Sequence, residues 1–273
     1  MKLKARILTS AVGIPLIFAT VWYGPITVLP AMLILASIAI CEIYGLYRIG
    51  HRGLPKIICL PWVCALILTL ANSPSFNSSI ISIAGITCIG TFASTLWLIV
   101  NAEKPRFAPA LLCMSLSCTY IGLLMGHFPM YYEIEQSIYS GRIWLLFAIF
   151  ATFTTDTTAL LVGKTIGRHA LAPRISPNKT WEGSISGIIA SVLFSIVFCY
   201  MSQNPGYLWQ ITALGATVGV VSQLGDLTES KIKRTFNVKN TGGLLPGHGG
   251  LLDRLDSLLW SIPITYYLIL TIF

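Results

Sequence analysis

Gly225-Asp-Leu-Thr-Glu-Ser-Lys-Ile-Lys-Arg234, Thr235-Phe-Asn-Val-Lys-Asn-Thr-Gly-Gly-Leu-Leu245 and Pro246-Gly-His-Gly-Gly-Leu-Leu-Asp-Arg-Leu-Asp-Ser257 follow one another without a break near the end of a 273-residue chain. The stretch holds four of the ten acidic residues, Asp226, Glu229, Asp253 and Asp256. It also holds five of the eighteen basic ones, Lys231, Lys233, Arg234, Lys239 and Arg254. Apolar runs long enough to cross a bilayer flank it on both sides. Charge of both signs at the boundary of a membrane helix is costly, so it needs a function or a partner.

Working outward, the rest of the chain is almost uncharged. Hydrophobic residues make up 55% and charged residues 10%, and mean hydropathy is +0.75. A soluble domain carries about 25% charged residues, so the composition predicts an integral membrane protein. The net charge of +8 does not indicate nucleic acid, because the basic residues sit in short loops between apolar runs and not on one face.

Nine apolar segments are expected as membrane helices. They are Ile7–Tyr23, Ile26–Tyr47, Ile57–Ala71, Ser79–Val100, Ala108–Gly126, Ile143–Val162, Ser184–Met201, Leu208–Leu224 and Leu255–Phe273. Most approach the ~20 residues that cross ~30 Å of hydrocarbon. The first begins with Met-Lys-Leu-Lys-Ala-Arg but shows no small-residue cleavage site, and reads as an uncleaved helix. With the N-terminus cytoplasmic, 17 of the 18 basic residues fall in cytoplasmic segments and Arg142 alone lies outside, as loop-charge asymmetry requires. The expected fold is an all-α polytopic membrane bundle of about nine helices, with a cytoplasmic N-terminus. It forms one membrane domain over 1–273, with N-terminal helices in 1–142 and the catalytic helices and loops in 143–273.

Spacing within the opening stretch suggests its chemistry. Asp226, Glu229 and Ser230 stand at i, i+3, i+4, one face of a helix, and Asp253 and Asp256 stand at i, i+3. Between them, Pro246-Gly-His-Gly-Gly250 is too glycine-rich for a helix and permits close backbone approach by a ligand. Carboxylate-bearing helix ends beside lysines can hold a hard cation together with a polyphosphate, whose oxygens complete the coordination. The plain alternative is a solvated loop with incidental ion pairs.

Two blocks of residues resemble the phosphatidate cytidylyltransferases (CDP-diacylglycerol synthases). One is Ser230-x-Ile232-Lys233-Arg234 followed by Pro246-Gly-His248-Gly249-Gly250-x-x-Asp253-Arg254-x-Asp256-Ser257. The other is Asp156-Thr157, Gly163, Gly167, Leu171-Ala172-Pro173 and Ser176-Pro-Asn-Lys179-Thr180-Trp181-Glu182-Gly183. The resemblance runs from about Asp156 to the end; before that, only hydropathy and Glu42 match. The family has Lys-Asp where this chain has Lys239-Asn240, so position 240 brings no charge. Leu160 stands where the family often has Tyr.

The resemblance implies a membrane enzyme of phospholipid biosynthesis that transfers CMP from CTP to phosphatidic acid, giving CDP-diacylglycerol and pyrophosphate. It implies Mg²⁺, with a second cation compatible, held by Asp226 and Asp253, with Asp256 as an auxiliary ligand. Catalytic roles would fall to Asp226, Asp253, Asp256, Lys233 and Arg234. Substrate contacts would fall to Ser176, Lys179, Thr180, Glu182, Ser230, His248, Gly249, Gly250 and Arg254. The implied partners are CTP, phosphatidic acid and membrane lipid, without nucleic acid; a homodimer is compatible. The expected location is the cell inner membrane, with the active site on its cytoplasmic side.

Other residues leave two readings open. Glu42 interrupts the second apolar segment, and either faces a cavity or bonds within the bundle. Asp156, among threonines in the sixth, is a helix-packing polar group or the wall of a site. Lys179, Thr180 and Glu182 precede the seventh segment and suit a phosphate seat at a helix N-terminus or simple capping. His248 contacts phosphate or shapes the turn. The seven cysteines lie in apolar runs without a C-x-x-C pair, so buried packing is expected and not zinc or disulfides. A CTP-dependent lipid kinase of the dolichol-kinase kind and a secondary transporter are the rival functions. Product analysis separates the first, and solute uptake into vesicles without CTP the second.

Overall fold

A computed structural model describes residues 2–49, 52–72, 76–102, 104–134, 137–236, 238, 241–242 and 250–273. Among these, nine helices are formed: α1 (Lys2–Trp22), α2 (Pro25–Leu46), α3 (Lys56–Ala71), α4 (Phe76–Asn101), α5 (Lys104–Met130), α6 (Gly141–Thr165), α7 (Trp181–Met201), α8 (Leu208–Thr235) and α9 (Leu252–Ile272). Each of the nine apolar segments read from the sequence is a helix. Six of them, in α2, α4, α5, α6, α7 and α9, are long and apolar enough to cross a membrane. Their large apolar side chains face outward, as at Ile81, Ile89, Val100, Leu116, Leu193 and Met201, which suits lipid and not water. The chain is a multi-pass helical membrane protein.

Two short antiparallel hairpins, not expected from the sequence, interrupt the helices. One pairs β1 (Arg48–Ile49) with β2 (Arg52–Gly53). The other pairs β3 (Ala170–Ala172) with β4 (Ser176–Thr180), through Ala172↔Ser176 and Ala170↔Thr180.

The helices group into two compact units. The first comprises Met1–Met130 and Asn240–Asp253, the second Tyr131–Lys239 and Arg254–Phe273. In the first, α3 is the central packing element. Its Trp62, Leu66 and Leu70 stand four residues apart on one buried face. They seat against Gly90 of α4 and against Gly122 and Gly126 of α5, where a β-carbon would collide with them.

In the second unit, α7 packs against α6 and α8 through a row of small residues. Gly183, Gly187, Ser191, Ser195 and Cys199 recur every fourth position and are all buried. Gly215 of α8 lies against Ser195 and Ser191, and Gly219 against Ile188. Without a hydrophobic drive between helices in lipid, such close backbone approach supplies dispersion contact. Polar side chains tie the layers together: Ser191 Oγ donates to Gly215 O at 2.7 Å, and Gln223 Nε2 donates to Ser184 O at 3.0 Å. From α9, Ser261 meets Thr152 of α6 at 2.8 Å, and its Ile262 carbonyl accepts from Tyr131 at 2.8 Å.

Candidate functional site

The second unit gathers charged residues from four elements. The last three turns of α8 carry Asp226, Glu229, Ser230 and Lys233, spaced three or four residues apart. Asp226 Oδ2 pairs with Lys179 Nζ of β4 at 2.5 Å, and Ser230 Oγ stands 3.4 Å from Asp226 Oδ1. Glu229 and Lys233, both buried, pair at 3.2 Å. The carboxylate of Asp256 on α9 lies within electrostatic reach of Asp226 and within hydrogen-bonding reach of Glu229. It also accepts from its neighbour Ser257 N at 2.7 Å. Asp156 of α6 interacts with Asp226, Asp256 and Lys179 and is within hydrogen-bonding reach of Ser257.

Four carboxylates, Asp156, Asp226, Glu229 and Asp256, thus face two lysines, Lys179 and Lys233. At full ionisation the group keeps two negative charges. Hard oxygen donors with an anionic excess suit Mg²⁺, which commonly takes one or two protein carboxylates and completes its shell with phosphate and water. No group of three or more His, Cys, Asp or Glu side chains is arranged around one point among the described residues. A Mg²⁺ ion here would therefore rest on a carboxylate pair and on substrate oxygens.

The backbone supports this arrangement. A β-carbon on Gly225 would stand 2.6 Å from the Asp256 carbonyl, so only glycine allows α8 and α9 to approach where their aspartates meet. Arg234, exposed beyond the cluster, donates from Nε to Ile175 O at 3.2 Å and from Nη1 to Val238 O at 3.0 Å. It ties the β3–β4 turn to the end of α8.

In the first unit, Asp253 accepts at Oδ2 from Gly250 N at 2.8 Å and from Thr241 N at 3.1 Å. Glu42 of α2 accepts from Leu251 N at 2.8 Å, Leu252 N at 3.0 Å and Thr241 Oγ1 at 3.3 Å.

The sequence pattern of the cytidylyltransferase family matches residues 4–272. The chain belongs to the cytidylyltransferase family. A phosphatidate cytidylyltransferase of Staphylococcus epidermidis is similar to it, 30% identical over 268 residues, 98% of this chain and 99% of that protein. Proteins of the same name from Staphylococcus haemolyticus, at 31%, and Staphylococcus aureus, at 30%, align over the same shares. The likeness therefore includes the first half of the chain, where the sequence reading found only hydropathy and Glu42.

For this family member the expected site residues divide as follows. Asp226, Ser230, Lys233, Asp256 and Lys179 come together in the second unit. Asp253 and Gly250 belong to the first. Ser176 opens β4, and Arg254 is exposed in the first turn of α9. His248 and Gly249, with Lys239 and Asn240, lie outside the described residues. Glu182 has a local role: its carboxylate accepts from Arg168 N at 3.1 Å and His169 N at 3.3 Å, and pairs with His169 Nδ1 at 2.6 Å. It thereby closes the entry to the β3–β4 hairpin. Thr180 caps α7, accepting from Gly183 N at 3.2 Å. Thr180→Ala should lower stability by about 0.5–2 kcal/mol, read as an earlier thermal transition in detergent.

Glu229 was missed as a site member, although its place one turn from Asp226 on the same face was visible. Asp156 carried a clearer signal, a carboxylate within an apolar run. The contacts of Glu42 and Asp253 with backbone amides had no signal in sequence spacing.

Proposed function

We propose that this chain transfers CMP from CTP to phosphatidic acid, giving CDP-diacylglycerol and pyrophosphate. The observation that carries the reading is the cluster in which Asp156 and Asp226 meet Lys179 while Asp256 lies beside both aspartates and Lys233. Polyphosphate chemistry between two anions needs this mixture of carboxylates and lysine more than it needs a strong base.

A phosphate oxygen of phosphatidic acid attacks the α-phosphorus of CTP. The new bond forms there as the bond from the α-phosphorus to the oxygen bridging the β-phosphorus breaks, and pyrophosphate leaves with that electron pair. A phosphomonoester has its second pKa near ~6, so the nucleophile is largely deprotonated at neutral pH. Catalysis then consists of alignment and charge neutralisation.

Asp226 and Asp256, with Asp253 as a further candidate, would hold Mg²⁺. When bound, the ion offsets charge on the attacking and leaving oxygens. Lys179 is set by Asp226 to meet a phosphate, and Lys233, held by Glu229, adds a second positive charge. Arg234 keeps the hairpin against α8, and Arg254, Ser176, Ser230, Gly250, His248 and Gly249 are further substrate contacts in this reading. Phosphatidic acid enters from the bilayer and CTP from the cytoplasm. The sorting of Lys and Arg supports a cytoplasmic N-terminus and site; the membrane in this reading is a cell inner membrane.

Purified protein with α-labelled CTP and phosphatidic acid should yield labelled CDP-lipid and pyrophosphate. Chelation of divalent ions should cut turnover by roughly a hundredfold or more, the loss expected when a principal charge stabiliser is removed. Release of CDP with a phosphorylated lipid would replace the reading by a kinase one. Full turnover after chelation would sink the role of Mg²⁺.

A further inference from the structure

Glu42 sits one turn from the C-terminal end of α2, where the helix dipole disfavours a carboxylate. It is also far in sequence from every motif that carries the chemistry. Nonetheless both its oxygens are occupied. Oε1 accepts from Leu251 N at 2.8 Å, and Oε2 accepts from Leu252 N at 3.0 Å and from Thr241 Oγ1 at 3.3 Å. Leu252 is the first residue of α9, so the carboxylate meets amides that have no partner inside their own helix. The dipole of α9 favours an anion at this end, opposing the unfavourable effect of the α2 dipole.

The fit is close. A β-carbon on Gly242 would stand 2.7 Å from Oε1, and one on Gly250 would stand 2.6 Å from Oε2. Glycine at both positions lets the backbone come down on the carboxylate. Asp253 holds the same two strands of chain, through Thr241 N and Gly250 N. Two carboxylates therefore clasp the backbone at Thr241 and Gly250–Leu252, one from within the signature and one from a helix some two hundred residues earlier.

We infer that Glu42 is a positioning residue: it fixes the backbone of Thr241, Gly250 and Leu251, and thereby the placement of Gly250 and Asp253 for the nucleotide. This rests on the proposed CTP-dependent function. Glu42 does not itself touch substrate. Its charge matters because glutamine of the same shape offers only one acceptor oxygen to the three donors and turns an NH₂ group toward backbone N–H.

Glu42→Gln in the full-length protein in detergent tests this by two measurements. Hydrogen exchange at Leu251 and Leu252 should quicken by roughly 10- to 100-fold, as expected for losing bonds to a charged acceptor. The KM for CTP should rise by a factor in the same range, while the KM for phosphatidic acid and kcat at saturating CTP stay within about threefold. Thr241→Val removes only the hydroxyl contact. It should shift both measurements in the same direction by less, and it serves if Glu42→Gln does not fold. Unchanged exchange overturns the clasp. Faster exchange with an unchanged KM for CTP overturns the positioning role. Absence of CTP turnover in the wild-type protein would count against the proposed function instead, and the exchange comparison would still decide the clasp.

Discussion

Asp226→Asn is expected to lower CTP and phosphatidate turnover by roughly 10²–10³-fold without changing the helical content of the purified protein. The amide keeps the size of the side chain and removes its charge. In the structure that charge pairs with Lys179 at 2.5 Å and stands among Asp156 and Asp256. Its loss removes a cation ligand in the proposed mechanism and frees Lys179 from the geometry that aims it at phosphate. Lys179→Met should be damaging for the second reason alone. Combined, the two substitutions should cost clearly less than the product of their separate effects, because groups acting as one unit are not additive. Full additivity would mean that the pair works as two unrelated contacts. Asp226→Asn with undiminished turnover would remove it from the chemistry altogether.

Gly225→Val should damage the enzyme without touching any charged group. The first carbon of the new side chain already falls 2.6 Å from the Asp256 carbonyl and 3.1 Å from Trp260 Cβ. Backbone cannot step aside as a flexible side chain can, so α8 and α9 must separate. Overpacking of this kind costs about 1–3 kcal/mol, seen as an earlier thermal transition. The effect on turnover should be larger, roughly 10²-fold, because a shift of about 1 Å in a reacting group is enough for that. Gly225→Ala should show a weaker form of both effects. A Gly225→Val protein with wild-type turnover would mean that the spacing of Asp226 and Asp256 does not govern the reaction.

The apolar runs and the acidic and basic stretch were readable because both depend on local pattern. Apolar runs of this length favour helix, and all nine segments emerged as helices; their ends shifted by about five residues or fewer, except that α8 continues from Leu224 to Thr235 and carries the charged residues with it. The site was partly readable for a related reason. Asp226 and Ser230 share a helix face by their spacing, and charges that survive in a membrane chain are few enough to single out. The sequence placed Lys179 and Thr180 only as residues before the seventh helix. Ser176–Thr180 form a strand, because Ala170 and Ala172 lie opposite to complete its hydrogen bonds, and no local periodicity over so few residues reveals a partner. The spacing of Glu182 suited a phosphate contact or a cap, and it held no sign that the carboxylate accepts from the amides of Arg168 and His169.

By itself the sequence determined that this chain lies in a membrane as a helical bundle, which helices it builds, and which cluster of carboxylates and lysines breaks their apolar pattern. Composition and period decide those matters, and both are properties of neighbouring residues. Only the tertiary structure decided that Asp156 meets Lys179, Asp226 and Asp256 and that Glu42 receives the amides of Leu251 and Leu252. Those contacts join residues tens to hundreds of positions apart. They are set by how closely glycine-lined helices approach, a distance that no run of adjacent residues encodes.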